Sequence, residues 1–246
     1  MSFGIFSQHP RHRSSSLRSV LHGRRLPAAA MPALSLALLA CTGSALALER
    51  SGFAAPPAGT YQLQRILSAP EGQVLDSDGS RQKLSRYTTG RITLFSFIYT
   101  YCTDARGCPL AYATFHNLKK SIEGNPGMRD KVRFVSMSFD PQYDTPEAMR
   151  NYGGKDARDT RGVPWHFLTS RTRSDLLPLL EGFGQDVSVA VAQPAGQRIP
   201  LLSHMLKVFL IDAHGQVREI YSPAFLRQEM MFNDIQTLLM EQNIKR

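Results

Sequence analysis

The chain has 246 residues, with 29 basic and 20 acidic side chains and a formal net charge of +9. Five of the basic ones (Arg11, Arg13, Arg18, Arg24 and Arg25) fall in the first 47 residues, which hold no acid, so the remainder carries only +4. No basic stripe interleaved with aromatics is left, which excludes a nucleic-acid-binding protein, and the remaining 199 of the 246 residues can bury a full core without covalent staples.

The basic start leads into the apolar run Ala28 to Ala40, about 13 residues against the roughly 20 of a membrane-spanning helix. That is the pattern of an export signal rather than a permanent span. Two processing patterns overlap at its exit. Ala45-Leu46-Ala47 fits ordinary cleavage, and Leu38-Leu39-Ala40-Cys41 resembles a bacterial lipobox in which Cys41 would carry lipid. Simple cleavage is favoured because it closes a c-region of normal length. The chain therefore divides into a signal at 1–47, a flexible lead-in at 48–60 punctuated by Pro56, Pro57 and Gly59, and one domain at 61–246. The expected location is periplasmic, with a membrane anchor only if Cys41 is lipidated.

Within the domain, Leu75 to Ser80 carries a turn signal and Gln82 to Leu84 a short hairpin partner. Ile92 to Tyr99 is β-branched and aromatic almost throughout, as in a central strand buried on both faces. Pro109 opens a helix with Leu110, Phe115, Leu118 and Ile122 at helical spacing, stopped at Asn125-Pro126-Gly127. Val132 to Phe139 is a second core strand. Asp144-Thr145-Pro146-Glu147 then starts a helix that Gly153-Gly154 ends. Trp165 to Thr169 is a short strand and Ser174 to Phe183 a helix despite Pro178. Gly184 to Pro200 lacks clear periodicity and is expected to be a loop or an excursion. Leu206 to Ile211 and Val217 to Tyr221 form a hairpin, and Leu226 to Glu241 is an amphipathic helix. Strands separated by helices predict parallel pairing, and the last hairpin adds antiparallel strands. The fold class is thus α/β and thioredoxin-like: a mixed central sheet flanked by helices, with an N-terminal hairpin extension.

Of three cysteines only Cys102 and Cys108 remain in the domain, six positions apart. In an open α/β sheet reactive groups collect beyond the carboxyl ends of the strands, and Cys102 follows a strand directly. Cys108-Pro109 places the second sulfur at the first turn of a helix, where unpaired N–H groups and the dipole favour a thiolate, with Arg106 adding to the effect. A plain disulfide staple closing so short a loop would gain little stability. The pair either cycles as a redox couple, binds a ligand, or both. Tyr99-Thr100-Tyr101-Cys102 lacks the Thr-x-x-Cys arrangement of a peroxiredoxin nucleophile.

Four stretches resemble the Sco/SenC family of thioredoxin-like copper proteins: Phe95 to Cys102 running to Cys108-Pro109; Ser138-Phe139-Asp140-Pro141 with Asp144-Thr145-Pro146-Glu147; Trp165 to Thr169; and Ser203-His204. The resemblance implies that Cys102, Cys108 and His204 bind one copper ion, a soft donor set that suits the metal. It implies an assembly factor delivering copper to a cuproprotein such as the copper subunit of a terminal oxidase, with a thiol reductant as second partner. The alternative is a thiol–disulfide oxidoreductase that keeps partner cysteines reduced. Family members usually have three residues between the cysteines, where Thr103 to Gly107 stand here, and commonly an Asp before the histidine, where Ser203 stands. Read on its own, His204 is an ordinary histidine ahead of an apolar strand, and so are His116, His166 and His214 in their places. Met230 and Met231 read as core, Asp140 and Asp144 as loop and cap residues, and Asp104 as a contact for metal or partner.

Overall fold

The computed structural model describes residues 54–189 and 202–244. The signal segment, Cys41 and Pro200 lie outside them. In chain order the elements are β1 (Leu67–Ser68), β2 (Gln73–Asp76), β3 (Arg81–Lys83), α1 (Ser85–Thr88), β4 (Ile92–Ile98), α2 (Cys108–Glu123), α3 (Pro126–Arg129), β5 (Val132–Ser138) and α4 (Pro146–Gly153). After a short 3₁₀ turn come β6 (Trp165–Thr169), α5 (Arg173–Phe183), β7 (Val187–Val189), β8 (Leu202–His204), β9 (Val208–Ile211), β10 (Gln216–Tyr221) and α6 (Gln228–Ile244).

Eight strands form one sheet in the order β1-β10-β9-β4-β5-β6-β2-β3. β5 pairs in parallel with β4 and β6, while β9 runs antiparallel to β4 and β10 to β9. This is the expected mixed, thioredoxin-like sheet. Every residue of β4 and β5 is buried, as their predominantly apolar, β-branched and aromatic sequences predict, and Arg133, Ser136 and Ser138 of β5 are buried with them. The β2–β3 hairpin is not an appendage, because β2 pairs antiparallel with β6 and so lengthens the sheet at one edge.

Helix boundaries follow local chemistry. Thr145 caps α4 by accepting the Ala148 N–H, with Pro146 at its first position, and Thr172 caps α5 by accepting the Asp175 N–H. Gly154, at φ +54°, ends α4 in a conformation that only glycine adopts without strain. Asn125 does stop α2, yet it also caps the single turn α3 by accepting the Gly127 N–H. The described part of the lead-in is tied to α6: the Gly59 N–H donates to Thr237 Oγ1 at 2.9 Å and Asn233 Nδ2 to the Pro56 carbonyl at 2.9 Å.

One expectation is corrected. The stretch from Gly184 to Pro200 is not all loop, since Val187–Val189 pairs antiparallel with Leu202–His204 in a two-stranded ribbon separate from the main sheet. Three-residue strands are too short for a periodic signal to stand out.

Candidate metal centre

β4 and β5 run parallel with Ile98 opposite Ser138, so the loops that follow them, from Tyr99 and from Phe139, leave the same end of the sheet. The first loop is short and internally bonded. The Cys102 N–H donates to the Tyr99 carbonyl at 3.2 Å, the Arg106 N–H to Asp104 Oδ1 at 2.9 Å, and the Gly107 N–H to the Asp104 carbonyl at 2.9 Å. Asp104 therefore shapes the five-residue spacer. Gly107 has no room for a larger side chain without crowding: an added Cβ would stand 3.4 Å from Cys102 Sγ and 3.3 Å from the Asp104 carbonyl.

A buried carboxylate fixes where this loop begins. Asp144 accepts the Thr100 N–H at 3.1 Å, the Thr100 hydroxyl at 2.5 Å and the Ser138 hydroxyl at 2.6 Å, binding the ends of β4 and β5 to one point. Burial pushes the Asp144 carboxyl above its ordinary value in spite of those donors. Beside it the Tyr101 hydroxyl donates to Asp140. Sequence reasoning reads Asp140 and Asp144 as loop and cap residues; the cap of α4 is in fact Thr145, and Asp144 instead clamps the cysteine loop.

Cys102 is half-buried and Cys108, the first residue of α2, is 1% exposed; both are free thiols. His204 arrives from the far side on β8, with Nε2 3.8 Å from Cys108 Sγ. The two sulfurs and one imidazole nitrogen all lie within 4.8 Å of one another, the one group of three or more such side chains among the described residues that can hold a metal ion. The walls are aromatic. Phe139 and Tyr99 meet the His204 ring edge-on at 4.6 and 5.9 Å between centroids. His204 Nδ1 is buried and has no hydrogen-bond partner among the described residues. Ser203 is exposed, and strand alternation turns it to the opposite face from Leu202 and His204. A partner for the ring at that position would point away from it.

The protons are not arranged as the helix start alone suggests. Hydrogen bonding from Cys108 and from His204 lowers the Cys102 pKa to about 4 although burial opposes this. Cys108, donating to Cys102 and buried, is pushed well above the ordinary thiol range. The free N–H of Cys108 at the start of α2 instead favours the thiolate of the neighbouring Cys102. Burial and that donated proton outweigh the helix start at Cys108 itself.

The other candidates are accounted for by structural contacts. His116 Nδ1 lies 3.2 Å from Asp156 and His166 Nδ1 3.4 Å from Asp76, while the His214 N–H donates to Asp212 within a tight turn. Met231 is fully buried and Met230 packs against the core. What sequence reasoning missed is the aromatic wall and the β7–β8 ribbon that carries His204. No local sequence signal marks the ribbon, whose strands have three residues each.

Fold and side chains together define a thioredoxin-like domain with a candidate soft-metal centre beyond the carboxyl ends of its parallel strands. The chain belongs to the SCO1/SenC family, whose profile matches residues 70–240. No curated protein sequence matches it. Among solved structures it resembles Bradyrhizobium japonicum ScoI with copper bound, at 20% identity and a TM-score of 0.55, covering 70% of this chain and 98% of that one. It also resembles yeast Sco1 with copper bound, at 16% identity and a TM-score of 0.58, covering 74% and 96%. A SCO1/SenC family lipoprotein from Bacillus anthracis is 24% identical with a TM-score of 0.57, covering 70% and 95%. At such identities these structures establish the fold.

Proposed function

We propose that this protein binds one copper ion through Cys102 Sγ, Cys108 Sγ and His204 Nε2 and delivers it to an extracytoplasmic cuproprotein, such as the copper subunit of a terminal oxidase. The observation that carries this reading is the convergence of three soft donors on one point. Metal bonds of about 2.0 Å to nitrogen and 2.3 Å to sulfur put the donors of a trigonal site roughly 3.7–4.0 Å apart. The Cys108–His204 separation of 3.8 Å already matches, and the whole set, within 4.8 Å, closes with a shift of about 1 Å. Family membership and the copper held by the yeast and Bradyrhizobium proteins support the choice of metal.

The residues divide the work. Cys102, ready as a thiolate and the more exposed sulfur, meets the incoming ion first. Cys108 must lose its proton to bind, and regains one when copper leaves, so a buried thiol that prefers its proton favours release to an acceptor. His204 completes the set from a ribbon outside the main sheet. Export rests on the basic-then-apolar start and an anchor on lipid at Cys41, and the lipoprotein description of the Bacillus anthracis relative agrees with both. Among the described residues no helix is long and apolar enough to cross a membrane.

A second reading, thiol–disulfide exchange, is favoured by the split between the two sulfurs. The Cys102 thiolate would attack a partner disulfide, forming a mixed disulfide and releasing one partner thiolate. Cys108, giving up its proton, would then attack Cys102 Sγ and release the second, leaving the chain oxidised by two electrons and the partner a dithiol. One experiment separates the two: copper-loaded chain is mixed with the apo, reduced copper domain of a terminal oxidase. Copper appearing on that domain supports delivery. Copper retained by the chain, together with reduction of the oxidised domain by the apo chain, overturns delivery in favour of exchange.

A further inference from the structure

The cysteines and His204 sit on separate pieces of structure. The cysteine loop grows from β4 in the eight-stranded sheet, whereas among the described residues β8 pairs only with β7. Something must set the distance between them, because a ribbon of two three-residue strands is not rigid by itself.

Tyr99 is built into that gap. It follows β4 immediately and is 2% exposed. Its carbonyl accepts the Cys102 N–H and so starts the cysteine turn. Its hydroxyl reaches the other way and donates to the Leu202 carbonyl at 3.2 Å, two residues before His204 on the same face of β8. Its ring meets His204 edge-on at 5.9 Å, and Tyr101 and Phe139 hold it from the sides at 4.7 and 5.1 Å. Among the described residues this hydroxyl makes the one hydrogen bond between the cysteine-bearing segment and the main chain of β8. Other polar anchors near by, Gln185 Nε2 to the Met205 carbonyl at 3.1 Å, Lys207 Nζ to the Gly184 carbonyl and Ser96 Oγ to the Lys207 carbonyl at 3.4 Å, hold the segment after β8 and not β8 itself.

Resting on the copper site proposed above, we propose that Tyr99 is the positioning residue of that site: its hydroxyl bond to Leu202 holds the ribbon where His204 can complete the coordination begun by Cys102 and Cys108. Tyr99 touches no metal. Without its hydroxyl the buried ring still fills the core, but the Leu202 carbonyl loses its donor and the ribbon its tie to β4.

The test compares wild type, Tyr99→Phe, His204→Ala and the double variant, each titrated with copper in competition with a chelator and monitored for imidazole ligation by electron-nuclear spectroscopy of the Cu(II) form. Wild type must bind one copper with a nitrogen ligand; if it does not, the copper reading itself fails and the role of Tyr99 is not what was measured. Given that, Tyr99→Phe is expected to keep one copper per chain, lose the nitrogen signature and bind about 10- to 100-fold more weakly. In the His204→Ala background the same change is expected to matter by no more than about twofold, since it acts through the histidine. A Tyr99→Phe protein with wild-type affinity and nitrogen signature overturns the proposal, and so does a loss as large with His204 absent as with it present. Thermal unfolding of each variant separates a general loss of fold: a Tyr99→Phe protein that weakens copper only in proportion to a lower folded fraction also overturns it.

Discussion

Cys108 Sγ and His204 Nε2 stand 3.8 Å apart although 96 positions separate them along the chain. The helix start places one and a ribbon beside the sheet places the other. Cys102 is near both, so the three donors form a single chemical unit whose members differ in proton affinity.

That difference makes the reduced, metal-free protein react unevenly with alkylating agents. Cys102, whose pKa lies at about 4, stays a thiolate from neutral pH downward and loses reactivity only as the pH falls through that value. Cys108 stays protonated and buried throughout. Iodoacetamide labelling with mass mapping is expected to modify Cys102 alone, with a half-point near pH 4. A half-point near the ordinary thiol value of about 8.5, or equal labelling of both, contradicts the assignment.

Asp144, at zero exposure, holds three donors, two from Thr100 in the cysteine loop and one from Ser138 at the end of β5. Asp144→Ala leaves them unpaired and is expected to cost about 3 kcal/mol in urea unfolding. A change below about 1 kcal/mol would show that the clamp is not needed. The pH dependence has a definite sign. The folded carboxyl is raised, so its contribution is fully present below the unfolded value of about 3.9 and is lost as pH rises through the folded one. Wild type is therefore expected to lose ground to Asp144→Asn as pH rises from about 4.

Arg218 ties three segments together at the opposite side of the sheet. It donates to Asp212 at 3.0 Å, to Glu241 on α6 at 2.9 Å, and to the Leu63 and Gln64 carbonyls at 2.5 and 3.2 Å. Arg218→Ala is expected to destabilise by about 3–5 kcal/mol, since the buried Asp212 carboxylate loses its cationic partner and keeps only the His214 and Gln216 N–H donors. Copper stoichiometry should not change. Loss of copper binding in a folded Arg218→Ala protein would contradict the separation of that network from the metal centre.

Much of this was legible in the residues, for reasons that differ by element. β4 and β5 declare themselves because strands buried on both faces are rich in apolar and β-branched residues, and the starts of α2 and α4 carry Pro109 and Pro146 at the positions where a missing N–H costs nothing. The two cysteines are legible as a pair by their isolation. His204 is not, because a histidine ahead of an apolar strand has no local mark of its purpose, and only likeness to a family singled it out. The ribbon and Tyr99 are hidden for another reason: three-residue strands give no period, and a tyrosine at the end of a core strand looks like core until its hydroxyl is seen to reach Leu202. The proton order of the two sulfurs depends on burial, which sequence position at a helix start does not report.

The central claim is that Cys102, Cys108 and His204 together hold copper, and its most direct measurement is anaerobic titration of the reduced protein with Cu(I) against a competing chelator. One copper per chain is expected for wild type, with affinity at least about tenfold weaker, or about 1.4 kcal/mol, in each of Cys102→Ser, Cys108→Ser and His204→Ala. Wild-type stoichiometry and affinity in His204→Ala and Cys108→Ser would contradict it.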